Sequence, residues 1–223
     1  MVAAIGLLLA VAASVPVAPS RPRIQLDVVV EAGVDLARDD LRAAASLIAD
    51  IWRPVLDVDV SFGSGTVQPG IAERLWLTIT NRGLEGDDTG LAWVGFRGDE
   101  PLTTVTLSMQ AVQRLARDGR WHGRALASYP PHMTRLFLQR AVARAVAHEI
   151  GHYVLRSRQH ERAGLMRAAF SVDDIMDGVP ALGTAIRDYA RRNEQRASVA
   201  SAPALAVEPA AGGKKQSEPS VEN

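Results

Sequence analysis

From Thr134 to about Arg156 the apolar residues recur at helical spacing, and the pattern runs into two histidines. Leu138, Ala141, Ala145, His148 and His152 fall at alternating intervals of three and four, which makes one stripe along a helix. Val142, Val146, Ile150 and Val154 form a second apolar stripe beside it, leaving Arg140, Arg144 and Ala147 for the remaining face. The two histidines therefore continue a mostly buried stripe. A buried imidazole must find a hydrogen-bond partner or a metal.

Residues 148–152 read His-Glu-Ile-Gly-His. Histidines four apart stand one turn apart on the same face, so both can reach a single Zn²⁺ at about 2.0–2.1 Å. Glu149 sits one position round from His148 and points beside such an ion. There it can take a proton from a zinc-bound water, whose pKa the metal lowers from about 15.7 to about 7. The chemistry this implies is metal-assisted hydrolysis, most often of a peptide bond. The bland alternative is a helix with two part-exposed histidines beside an ordinary surface Glu, because the motif fixes only three positions.

A catalytic zinc takes three protein ligands and keeps one position open. The chain has 5 His, at 122, 132, 148, 152 and 160. His160, just past the end of the motif helix, is the candidate third ligand; otherwise it is a solvated residue of the polar run from Arg156 to Arg162. Cys is absent. That removes the thiolates on which closed structural zinc sites often depend, and excludes the Pro-Cys-x-x-Cys element of zinc nucleobase deaminases.

The length suggests one domain, expected over residues 21–197. Lys+Arg and Asp+Glu balance at 25 each, so nothing points to a nucleic-acid or polyanion partner. The Arg-rich stretches at 114–124 and 156–167 read as solvated faces. Residues 1–20 are expected to be a signal peptide: Met1 to Ala18 is apolar and uncharged, and Ala10-Val11-Ala12 offers a cleavage site before Ala13. The expected location is secreted or periplasmic. The alternative is an N-terminal membrane anchor, although Pro16 interrupts a stretch already short for spanning. A cut before Ala13 is expected to leave too little chain before the first strand for an inhibitory prodomain. Residues 198–223, rich in Ala, Pro, Ser, Gly, Lys and Glu, are expected to form a disordered tail.

Within the domain the pattern predicts strands at 24–30, 55–62, 74–80, 91–96 and 104–109. Helices are predicted at 35–52, 110–117, 134–156 and 181–196, with a short helical turn at 173–176. With this order and the His148-Glu149-x-x-His152 motif, the chain resembles the zincin metallopeptidases, and among them the metzincins. That family's motif runs His-Glu-x-x-His-x-x-Gly-x-x-His and is followed by a methionine-containing turn beneath the metal. His148, Glu149 and His152 match it, and Gly164-Leu165-Met166 resembles the turn, with a structural role for Met166. The chain departs where the family has Gly, at Leu155, and where it has its third His, at Arg158. His160 comes two residues late, so the helix exit is expected to differ, around Ser157. Glu161, Asp173, Asp174 and Glu194 are the alternative third ligands.

The resemblance implies an α+β fold: a twisted mixed sheet of about five strands, an active-site helix and a small C-terminal helical part. It implies a zinc endopeptidase held by His148, His152 and His160, with Glu149 as the base and zinc as the chief oxyanion stabiliser. A peptide or protein substrate would lie extended along the edge strand Leu91 to Phe96. His122, Tyr129 and His132 are candidates for a second oxyanion donor. The competing reading is a catalytically inactive zincin-fold module for metal binding or protein interaction. Hydrolysis of a non-peptide amide is a third.

Overall fold

The computed structural model describes residues 21–63, 71, 73–83 and 90–200. In chain order the elements are β1 (Arg23–Val30), α1 (Arg38–Trp52), β2 (Asp57–Phe62), β3 (Glu73–Thr80), β4 (Ala92–Arg97), β5 (Glu100–Ser108) and α2 (Met109–Asp118). A small hairpin follows, β6 (Arg120–Trp121) and β7 (Arg124–Ala125), then a 3-10 turn, α3 (Pro131–Leu155), α4 (Val172–Met176) and α5 (Thr184–Ala200). The five larger strands form one mixed sheet in the order β2-β1-β3-β5-β4. β1, β2, β3 and β5 run parallel, and β4 joins β5 antiparallel at the edge.

Helices α1 and α3 pack on each other and on the sheet, α1 over β2 and α3 over β5 and β4. The strands feed this layer with period two: Ile24, Leu26 and Val28 from β1, and Leu75, Leu77 and Ile79 from β3, are all buried. Trp52, at the end of α1, has no exposed surface, and its indole N–H donates to the Ala147 carbonyl at 3.2 Å. That bond ties α1 to the middle of α3. Helix α3 in turn touches α2, α4 and α5, so it is the central element of the domain.

The boundaries move for local reasons. Helix α1 starts at Arg38, with Asp39 and Asp40 in its first turn where the helix dipole favours them. Val55 and Leu56 do not begin β2, because their amides turn back to the Trp52 carbonyl. Strand β5 starts early, at Glu100, because Gly98, at φ 61, closes a tight hairpin from β4. Pro131 opens α3 three residues before the expected start, in the helix position that needs no N–H. The β6–β7 hairpin was not expected at all. Helix α5 continues through Ala200, so residues 198–200, expected in the tail, are helical. The remainder of the expected tail and the expected signal peptide lie outside the described residues. No described helix is long and apolar enough to cross a membrane.

On the opposite face of the sheet, Asp27 is fully buried. Gln25 donates to its carboxylate at 2.9 Å, and Ser61 and Arg74 also donate to it. The Arg74 guanidinium also lies 4.4 Å from the Trp76 ring centroid. Burial alone would raise the Asp27 pKa, but the hydrogen bonds from Arg74, Ser61 and Gln25 outweigh it and hold the carboxyl below its ordinary value. The Asp27→Ala variant leaves these donors facing an empty site and is expected to lose about 3 kcal/mol in denaturant titrations. The sign of the pH dependence follows from the depressed value. Asp27 stabilises the fold fully above the ordinary carboxylate range, and the stabilisation fades as pH falls through its folded-state pKa. The deficit of the variant should therefore shrink in acid.

Candidate metal centre

Every residue from Ala141 to His152 is buried, so α3 is enclosed round its whole circumference. Small residues at 141, 143, 145, 147 and 151 allow this. At Gly151 the approach is closest: a Cβ would lie 2.3 Å from the Met166 sulfur and 3.7 Å from the Trp52 ring. Met166, which has no exposed surface, therefore fills the underside of the motif helix, with Trp52 beside it. The preceding Gly164 has φ 80, and a Cβ there would meet the Ala181 carbonyl at 2.7 Å. Leu165 then donates its amide to Ala181 O at 2.9 Å.

That turn also orients the first histidine. His148 Nδ1–H donates to the Leu165 carbonyl at 2.7 Å, and His152 Nδ1–H donates to the Ser157 carbonyl at 2.6 Å. A carbonyl only accepts, so each bond fixes the proton on Nδ1 and leaves Nε2 with its lone pair. His152 Nε2 lies 2.9 Å from His148 Nε2 and 3.2 Å from His160 Nε2. One nitrogen from each of the three rings falls within 4.8 Å of the others. Two ligands each about 2.0–2.1 Å from a tetrahedral ion stand roughly 3.3 Å apart. The donor type, the tautomers and the spacing thus fit zinc.

Burial chiefly drives His148 down to about 4, with the neighbouring imidazoles adding to the effect and the Leu165 bond opposing it. Burial likewise lowers His152. Both are neutral at pH 7, as metal ligands must be. His160 is exposed; its ring stacks on His148 at 14° and meets His152 nearly edge-on.

The chain leaves α3 one residue earlier than expected. Arg156 takes the left-handed conformation, φ 49 and ψ 43, that glycine usually supplies at a helix end. Its amide bonds back to the last turn, Ser157 N bonds to His152 O, and the loop then carries His160 to the cluster. Arg156 pairs only loosely with Glu100, at 3.4 Å and in solvent. Arg156→Gly is therefore expected to stabilise the domain, by about 1 kcal/mol in a thermal or urea melt.

Glu149 is 7% exposed, and its Oε2 accepts the Val94 amide at 2.8 Å. Ser108 donates its amide to Leu91 O, one residue before β4, in line with the β4–β5 register. By the antiparallel alternation, Trp93 is the next residue bonded to β5, and Ala92 and Val94 turn their amides to the open edge. The glutamate thus hangs from the free edge of the sheet. Burial pushes its pKa up to about 7 against the Val94 bond.

His148, Glu149, His152 and His160 open into a cleft of about 790 Å³ that follows β4 from Leu91 to Phe96. Its far wall includes Phe170, edge-on to His148 at 5.7 Å. Buried Arg144 lies 5.5 Å from the Phe170 ring centroid and donates to the Asp174 and Gly178 carbonyls, fastening that wall to α3. Burial brings Arg144 down to about 10.

The other sequence candidates are engaged elsewhere. Glu161 accepts the Ala185 amide at 2.8 Å at the start of α5. Asp174 forms a capping box with Ser171 and pairs with Arg167. Asp173 accepts the His122 amide at 2.9 Å, and Glu194 is exposed on α5. Tyr129 donates its hydroxyl to Trp121 O, His122 stands exposed beside Asp173 and Asp177, and His132 is exposed in the first turn of α3. None of His122, Tyr129 and His132 lines the cleft. Sequence reasoning did not find the Val94 amide, Phe170, Arg114 or Arg158 in the site. Arg114 and Arg158 fall in the Arg-rich stretches read as solvated faces, yet both line the cleft, and Arg158 also marks the mismatch at the expected third-histidine position.

No protein-family profile matches this chain, and no curated protein matches its sequence. Among solved structures it is similar to the crystal structure of an archaemetzincin from Methanopyrus kandleri, with a TM-score of 0.43 and 12% identity over 79% of this chain and 97% of that one. A likeness at that level assigns no function.

Proposed function

We propose that the chain is a zinc-dependent metallopeptidase of metzincin type that hydrolyses peptide bonds in peptide or protein substrates. The observation that carries this reading is the convergence of three imidazole Nε2 atoms beside a buried carboxylate at the rim of a cleft. His148, His152 and His160 would hold the metal. Zinc, when bound, supplies a Lewis acid that acidifies water and polarises a carbonyl.

The chain's own residues do the rest. Glu149, with one oxygen engaged by Val94 N, keeps the other free to take a proton from water and return it to the leaving amine. Burial raises Glu149 to about 7 in the metal-free protein, and a cation beside it would favour the ionised form that accepts the proton. The free edge of β4 offers backbone partners to an extended substrate. Phe170 covers the His148 ring from the far wall of the cleft, and Met166 supports the motif helix from beneath at Gly151. An inactive metal-binding module has no use for Glu149, whose burial is unfavourable to the ionised form. The test is hydrolysis of a mixed peptide library by the zinc-loaded protein. Cleavage that stops with a chelator and returns with zinc is expected; stoichiometric zinc without any cleavage sinks the enzyme reading.

A further inference from the structure

Arg158 stands at the end of the cleft where β4 finishes, two residues before His160. Its Nη2 donates to the Gly98 carbonyl at 2.8 Å, and its guanidinium lies 4.6 Å from the Phe96 ring centroid. One hydrogen bond and one cation–π contact anchor the exposed group while leaving most of its five N–H donors unspent. Among the described residues no carboxylate forms an ion pair with it; the neighbouring Glu100 pairs with Arg156 instead. At the α2 end of the cleft the balance differs, because Arg114 there shares the wall with Asp118. The cleft is therefore electrically lopsided. An anchored guanidinium without a carboxylate partner is a fork for one.

We propose that Arg158 is a specificity-determining residue that binds a substrate carboxylate, so that the preferred substrates are acidic peptides. This rests on the peptidase reading and names its substrate class. An extended chain on β4 advances about 3.4 Å per residue. A carboxylate at Arg158 therefore belongs to one fixed position of the bound chain, at the end of the cleft where β4 finishes. It comes either from an Asp or Glu side chain or from a free C-terminus.

The test uses the zinc-loaded full chain carrying Glu149→Gln, so that binding is read without turnover. Fluorescent peptides carry Asp or Glu scanned across their length with an amidated end, their Asn or Gln counterparts, and neutral peptides with a free terminal carboxylate. Anisotropy titrations should show a roughly ten- to hundredfold preference for a carboxylate at one position. Whether the side-chain or the terminal series carries it identifies the source. Adding Arg158→Gln should collapse that ratio towards one, and Arg158→Glu should turn it towards Lys-bearing peptides. Equal binding of acidic and neutral peptides, or a preference that survives Arg158→Gln, overturns the proposal. Failure of the Glu149-bearing protein to cleave any peptide counts against the peptidase reading, while the binding ratio still decides the role of Arg158.

Discussion

Glu149→Gln is expected to lower peptide hydrolysis by about 10²–10⁴-fold, the usual contribution of a positioned general base, while zinc stoichiometry stays unchanged. The amide keeps an oxygen for the Val94 amide, so the side chain can stay where the carboxylate was. It cannot accept a proton from water. A variant that loses zinc together with activity would instead place Glu149 in the metal's support.

The same substitution has a second expected effect, on the stability of the metal-free protein, and its sign is opposite. Burial raises the Glu149 pKa from 4.5 to about 7. Between those values the folded chain binds more protons at this site than the unfolded chain, so its contribution to stability falls as pH rises. At pH 8 the folded protein carries an ionised, buried carboxylate, unfavourable by about 3 kcal/mol. Gln carries no charge to bury. Metal-free Glu149→Gln should therefore melt higher than the parent at pH 8, and the gap should close towards pH 4.5. Added zinc should narrow it too, since a cation beside the carboxylate favours the ionised form. A residue that destabilises the apo fold yet is needed for turnover is kept for chemistry; equal melting curves at pH 8 would contradict the burial argument.

How much of this was legible beforehand depends on where the information resides. The motif helix was, because the spacing of Leu138, Ala141, Ala145, His148 and His152 encodes one face of a helix directly. The succession of strands along the chain was also legible, since the inward positions of β1 alternate with the polar Gln25 and Asp27. The amide that holds Glu149 was not, because a backbone N–H at a sheet edge leaves no mark in residue type. The helix exit was misplaced for a related reason: a left-handed cap is normally announced by glycine, and Arg156 adopts it without that cue. The hairpin of β6 and β7, with two residues in each strand, is too short to show a period. Glu161 is a plausible ligand by residue type; only the position of the α5 N-terminus shows that its carboxylate is engaged there.

The choice of third ligand yields the other large expected effect. His160→Ala should weaken zinc binding by more than 100-fold, beyond the 10- to 100-fold lost when only a partner of a ligand is removed. Two imidazoles on one helix would remain, with a solvent-filled gap where the third nitrogen stood. The loss is separable from unfolding, because His160 is exposed and its described contacts are with the other two rings. The metal-free melting curve should therefore shift by no more than about 0.5 kcal/mol. Zinc at 100 times the parent's Kd stabilises the parent by about 2.7 kcal/mol, and most of that gain should vanish in the variant. Arg158→Gln, at the position where the metzincin pattern has its histidine, should retain the gain, because the Arg158 head group points to Gly98 and Phe96 rather than to the cluster. If instead His160→Ala kept full zinc-dependent stabilisation and Glu161→Gln lost it, the ligand would be the carboxylate. The capping bond from Ala185 to Glu161 would then have to break on metal binding.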